Sequence, residues 1–204
     1  MKVDQTPSLE KAKACPPGSV FVEIGTWEGD FSYELLTQTS CAKLYCVDPY
    51  KHFDADGYKD GMNALSQNEF DKKYEKTKDR FKRFGDRVEF LRMTSKEAVK
   101  RFEDLSIEYI YVDGNHDYPY VEEDIRLWYP KVKKGGYLCG DDVYSQDPSE
   151  HDANNNVLRI WSRDAYGVPN CWGQYGTYMA CKKNEETYGI KFQFEQTQCS
   201  VQKL

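Results

Sequence analysis

Apolar residues in this chain gather into short runs, separated by longer stretches where they recur every three or four positions. Ser19-Val20-Phe21-Val22-Glu23-Ile24 is of strand length and apolar enough to be buried on both faces, and a helix is predicted behind it over 30–37. Lys43-Leu44-Tyr45-Cys46-Val47 predicts a second strand. Residues 62–84 read as one long charged helix, because Phe70, Tyr74, Phe81 and Phe84 recur at roughly helical spacing. A third strand is expected at 87–91, a short helix at 96–102, a fourth strand at 109–112 and a helix over about 119–132. Gly135-Gly136 opens a fifth strand, Tyr137-Leu138-Cys139-Gly140. Alternation of this kind implies right-handed crossovers and a mostly parallel, doubly wound α/β sheet covered on both faces. The tail departs from it: Tyr175–Lys182 and Tyr188–Glu195 read as two strands joined by residues 183–187, an antiparallel hairpin. Residues 1–18 are expected to be a polar lead-in with an amphipathic patch, closed by the breaker Cys15-Pro16-Pro17-Gly18, with a single domain over 19–204.

Composition narrows the class. A chain of 204 residues suits one domain with a full core, and 16 Tyr, 10 Phe and 4 Trp exclude a disordered one. No apolar run approaches the ~20 residues needed to cross a bilayer, and the first residues show no apolar stretch of a signal peptide. Seven cysteines without a CxxC pair fit reduced thiols and a cytoplasmic location. With 28 basic against 34 acidic residues, net −6, nucleic acid is not the expected partner. The basic residues between Lys72 and Arg83 alternate with Asp71, Glu75 and Asp79, as on a solvated helix face with i,i+4 pairs.

Candidate chemistry sits at the predicted strand ends, where doubly wound sheets bind ligands. Glu23-Ile24-Gly25-Thr26-Trp27-Glu28-Gly29-Asp30 has GxxxG spacing rather than GxGxxG, which argues against a pyrophosphate site and against a nicotinamide dehydrogenase. Its acids would repel phosphate but could hydrogen-bond a ribose or a cationic group. Asp48, directly after the second strand, is placed to grasp ribose hydroxyls or simply to form a turn before Pro49. Thr94-Ser95-Lys96-Glu97 has the form of a capping box in a loop that would also pass near an adenine. Asp113 ends the fourth strand and Asp141-Asp142 the fifth. Neighbouring strands lie roughly 4.8 Å apart, so the three carboxylates would converge and call for a cation such as Mg²⁺, Mn²⁺ or Ca²⁺, unless they are surface turn aspartates satisfied by backbone N–H groups. His116, three residues past Asp113, either takes a proton from a hydroxyl or caps the following helix.

Together, Glu23-x-Gly25-x-x-x-Gly29, Asp48, Asp113-Gly114-x-His116-x-Tyr118, Asp124-Ile125 and Gly135-Gly136…Asp141-Asp142 resemble class I S-adenosylmethionine-dependent methyltransferases. Within them, the metal-dependent sugar O-methyltransferases of macrocin type are the nearest pattern, over about 19–143 and again in the terminal hairpin. The resemblance implies a Rossmann-like seven-stranded sheet ending in an antiparallel hairpin. It implies S-adenosyl-L-methionine along Glu23, Gly25, Thr26, Trp27, Gly29, Asp48, Pro49, Thr94, Ser95 and Asp113, and a divalent ion (Mg or Mn) on Asp113, Asp141 and Asp142. Some members carry an acidic base two residues after the first ligand. This chain has Asn115 there, which makes His116, with Asp113, the catalytic candidate. Residues 51–66 and 144–174 match nothing closely and are expected to form the substrate lid, with Tyr50, His52, Asn115, Tyr144 and His151 (and Trp161 and Trp172) facing a small-molecule or glycan acceptor. Two alternatives stand beside the sugar hydroxyl: a catechol-like acceptor, or a non-catalytic binding domain of the same fold. A homo-oligomer and a longer multidomain chain both remain open.

Overall fold

The computed structural model describes residues 5–54, 61–143, 162–163, 169–170 and 174–204. Strands β1 (Val20–Ile24), β2 (Lys43–Val47), β3 (Val88–Leu91), β4 (Ile107–Val112) and β5 (Val132–Gly140) are mutually parallel. A two-residue pair, β6 (Ser162–Arg163) and β7 (Pro169–Asn170), lies apart from them. The hairpin β8 (Gln193–Glu195) and β9 (Gln198–Gln202) adds antiparallel to β5, giving the seven-stranded order β3-β2-β1-β4-β5-β9-β8. Helices α1 (Thr6–Lys13) and α2 (Asp30–Gln38) cover one face, while α5 (Tyr118–Trp128) and α6 (Gln174–Tyr188) cover the other. Helices α3 (Gln67–Arg80) and α4 (Ser95–Ala98) complete the crossovers.

Alternation along the central strands explains the two layers. Phe21, Tyr109 and Tyr111 point to the side of Leu9, Ala12, Phe31 and Leu35, whereas Val22, Ile24, Ile110 and Val112 pack with Val121, Ile125 and Trp128. All are buried, so the parallel strands read as continuous apolar runs.

Three expectations change. The helix expected over 62–84 is shorter: Ser66 and Glu69 form a capping box that starts α3, and tight turns at 61–64 and 82–87 flank it. Its ion pairs run mostly outward: Asp79 pairs along the chain with Lys82, but Lys73 reaches Glu28 and Arg80 reaches Asp30, clamping the loop after β1, and Asp71 takes Arg92 after β3. The run expected as a strand over 175–182, with its connection at 183–187, is α6, and the hairpin lies later, turning at Gln196-Thr197. Gly176, Thr177, Ala180, Cys181 and Asn184 form its buried stripe at helical spacing, but they are too small and polar to announce it. Finally, residues 6–13 are helical and Leu9 and Ala12 join the core, ahead of the Pro-Pro-Gly breaker.

Gly136 shows how tightly β5 meets β4, since a Cβ there would lie 2.6 Å from the Glu108 carbonyl oxygen. We expect Gly136→Ala to lower stability by about 1–3 kcal/mol through forced separation of the two strands, read as a lower urea midpoint at unchanged slope.

Candidate functional site

The strand order reverses between β1 and β4, and a cavity of about 650 Å³ opens there at the carboxyl ends of the strands. One backbone device builds its floor. The residue after four of the five parallel strands donates its N–H to the last carbonyl of the neighbouring strand: Gly25 to Val47 (2.8 Å), Asp48 to Leu91 (3.2 Å), Asp113 to Ile24 (2.8 Å) and Asp141 to Val112 (3.2 Å). The ladder thus runs one residue past the strands and fixes where these four side chains begin. Gly25 has φ +87°, and a Cβ on it would fall 1.9 Å from the Asp113 carbonyl oxygen, so only glycine fits.

At one end of the cavity, Asp48 accepts from the Trp27 N–H (2.9 Å) on Oδ2 and from the Tyr50 N–H (2.8 Å) on Oδ1. The turn reading and the ligand reading coexist here: two backbone donors orient a carboxylate that still lines the cavity beside Pro49. Trp27 also lines it, its ring under the Lys73 ammonium at 4.5 Å. Thr94 and Ser95 form the next wall. Thr94 closes a capping box with Glu97, as its spacing implied. Ser95 Oγ accepts from Trp128 Nε1 (2.7 Å) and donates to Asp124. Asp124 is a wall residue that the strand-end reading passed over, because it lies mid-helix on α5.

At the other end are Asp113, Gly114, Asn115, His116 and Asp142. The His116 ring lies between two acids, with Nε2 3.5 Å from Asp113 and Nδ1 3.6 Å from Asp142. It does not cap α5, whose N-cap residue is Asp117. Burial disfavours the charged imidazole, but Asp113, Asp142 and Asp141 outweigh it and hold His116 above the ordinary histidine range. Burial and the Asp142 charge move Asp113 upward, against the pull of His116. Asn115 accepts from the Asp117 N–H (2.9 Å), and its Nδ2 is buried without a partner. Lys51, Phe53 and Asn63, from the segment expected as a lid, also reach the wall.

Several candidates lie elsewhere. Glu23 is 2% exposed and faces away from the cavity, beneath α2, where Ser32 donates to it; burial raises its pKa well above the carboxylate range. Thr26 is buried behind the loop and Gly29, at φ +75°, abuts the Phe81 ring. Tyr50 is also buried, its hydroxyl donating to the Trp27 carbonyl (2.5 Å), so it supports the loop and does not face an acceptor. His52 contacts the Leu65 carbonyl (3.0 Å) and Asp54 (3.2 Å), off the wall. Asp141 is buried and turned from the cavity toward Gln198. Tyr144, His151, Trp161 and Trp172 lie outside the described residues.

This placement of Asp141 bears on the implied cation. Asp113 and Asp142 offer two cavity-facing carboxylates, a donor set that fits an oxygen-preferring ion, while Asp141 as oriented is not part of it. Among the described residues, no three His, Cys, Asp or Glu groups are gathered closely enough to hold an ion by themselves.

The family described as "Methyltransferase domain" matches residues 22–143 of the chain. A curated relative from Acanthamoeba polyphaga mimivirus, itself uncharacterised, is 28% identical over 144 residues, 68% of this chain and 58% of the relative, so the match spans little more than half of that protein. Solved structures of low identity share the fold. One from Corynebacterium glutamicum (15% identity, TM-score 0.64) covers 100% of this chain and 82% of its own. A methyltransferase candidate of Streptococcus mutans in complex with SAH (10%, TM-score 0.61) covers 100% and 99%.

Asp124 gives the site a pH signature. Burial raises it to about 7, with Ser95 opposing, so between pH 4 and 7 the folded chain holds a proton that the unfolded chain releases. Stability should therefore fall as pH rises through that window. Asp124→Asn should flatten this part of the melting-temperature profile, measured by calorimetry from pH 4 to 8.

Proposed function

The chain belongs to the methyltransferase-domain family, and from that premise we propose that it is an S-adenosylmethionine-dependent O-methyltransferase acting on a hydroxyl of a sugar or glycan, assisted by a divalent cation such as Mg²⁺ or Mn²⁺. The observation that carries the reading is the cavity at the strand-order reversal, with an oriented carboxylate, Asp48, at one end and an imidazole between two acids at the other.

When bound, the sulfonium supplies an activated methyl group, and a cation would supply Lewis acidity toward the acceptor oxygen. The chain's own residues do the rest. Asp48, held by the Trp27 and Tyr50 amides, presents acceptor oxygens to a ribose diol, and the Thr94–Ser95 loop bounds the adenine side. Gly25, without a side chain, lets the loop after β1 close against the backbone of Asp113 while its own backbone lines the cavity. Asp113 and Asp142 would hold the cation, and their charges favour a positively charged ligand in the cavity. His116 Nε2, buried 3.5 Å from Asp113, is the atom that would receive the acceptor's hydroxyl proton; it must be neutral to do so, and a cation on Asp113 and Asp142 would offset the charges that otherwise hold the imidazole protonated. An aliphatic hydroxyl is a weak acid, so proton removal and alignment together are what the site has to provide. Lys51 and the unpaired Asn115 Nδ2 on the wall give a polyol hydrogen-bonding partners, which supports the sugar over a flat phenol.

The test is methyl transfer from labelled S-adenosylmethionine to a panel of monosaccharides, glycans and catechols, with and without chelator. We expect a saccharide product, loss of transfer on chelation, and a fall of about 10²–10⁴-fold in His116→Ala while calorimetric SAH binding persists. Transfer to catechols alone, or full activity in His116→Ala, would refute the reading.

A further inference from the structure

The turn that carries Asp142 into the cavity is held from a part of the chain far away in sequence. Asp142 has φ +57°, a left-handed conformation that a residue with a Cβ rarely adopts. Its N–H donates to Oδ1 of the preceding Asp141 (2.7 Å), which fastens the turn. That same Oδ1 accepts from Nε2 of Gln198, the first residue of β9. Gln198 is 2% exposed, and its own amide is fixed from the other side, because its Oε1 accepts from Ser8 Oγ (2.6 Å) and from the Tyr111 hydroxyl (3.1 Å). A hydroxyl can donate or accept whereas the carboxylate accepts, so the amide points Nε2 at Asp141 and Oε1 takes the two hydroxyl protons. A second bond, from the Val143 N–H to the Thr197 carbonyl (2.8 Å), ties the far end of the turn to the same hairpin.

From this network we infer that Gln198 is a positioning residue of the site: it orients the Asp141 carboxylate, and Asp141 in turn keeps Asp142 facing His116. The inference rests on the functional reading above and deepens it. Asp141 acts from behind the site, as the link between the terminal hairpin and the acid that lines the cavity. Removing the Nε2 donor leaves Asp141 buried with one donor fewer, and a buried carboxylate in that position reorients toward whatever donor it can find. The Asp142 amide then loses its acceptor and the left-handed turn its fastening.

The test uses Gln198→Leu, with Gln198→Met as an unbranched second variant that also lacks the donor, in case the first does not fold. Residue-resolved amide exchange reads the turn directly. We expect the Asp142 amide to exchange about tenfold faster or more, while the amides of Val22 and Ile110 in the central strands keep their rates. With the acceptor identified by the panel, kcat should fall about 10–100-fold with the KM for S-adenosylmethionine unchanged. The double variant with Asp141→Asn should be no slower than the worse single variant. An unchanged Asp142 amide, acceleration shared equally by Val22 and Ile110, a wild-type kcat, or additive losses in the double variant would each overturn the inference. The exchange measurement needs neither cofactor nor acceptor. Failure of the functional reading would show separately, as absent SAH binding by the wild-type chain.

Discussion

The approach of β1 to β4 at their carboxyl ends is the constraint on which the rest depends. Where the strand order reverses, the two crossover helices diverge to opposite faces and leave a crevice, and the backbone must close that crevice from below without filling it. Gly25 does so by giving up its side chain, for a Cβ would overlap the carbonyl of Asp113. The N–H groups of Gly25, Asp48, Asp113 and Asp141 then extend the parallel ladder by one residue each. Four positions on four strands are thereby placed on one ring, to the precision of a sheet. The loops beyond them are free to vary, since hydrogen bonds beneath have already set where the side chains start. Helix α3 secures the outer loop through Lys73–Glu28, Arg80–Asp30 and the bond from Thr77 to the Trp27 carbonyl.

Electrostatics follows from that placement. The sheet brings acids together more closely than water would allow, and the fold answers each differently. Glu23, deep under α2, is held toward its neutral form and donates nothing to the cavity's charge. Asp48 spends its charge on two backbone amides. Asp113 and Asp142 have His116 between them, and their charges hold the imidazole toward its charged form against its burial. A cavity so lined favours cationic ligands over phosphates. The effect comes from a few oriented groups, and the chain's net charge of −6 contributes little to it.

Much of the fold could be read in the sequence because buried parallel strands leave plain traces. The runs at 20–24 and 43–47 are apolar on both faces, and the residues after them, Gly25 and Asp48, line the cavity. What the sequence concealed has physical causes. Helix α6 buries Gly176, Thr177, Ala180, Cys181 and Asn184, a stripe without large apolar residues, so the aromatic residues around it read as strand. Asp141 and Asp142 are adjacent and look equivalent, yet the left-handed turn at Asp142 sends one into the cavity and the other behind it. Tyr50 lies two residues after Asp48 and reads as an acceptor contact, but a hydrogen bond to the Trp27 carbonyl draws it inward. Direction of a side chain at a strand end depends on partners tens of residues away, and no local pattern records them.

Those distant partners argue that the site is larger than the family-matched segment. Residues 22–143 supply the ring of strand-end groups, but Gln5 and Ser8 of the first helical segment and Gln198 of the last strand lie outside it. Gln5 Nε2 lies 3.2 Å from the Tyr111 hydroxyl and 3.4 Å from Asp113, so both ends of the chain meet beneath the two strands that carry the acids. Gly176 brings α6 against the backbone of His116 and Tyr118, where a Cβ would lie 2.5 Å from each. The loop bearing His116 is thus wedged from one face of the sheet by α6, and the acids are latched from the other by α1 and β9. An arrangement of this kind makes the geometry of His116 and Asp142 a property of the closed chain. The strand-end residues take this arrangement with α1, α6 and β9 packed against them.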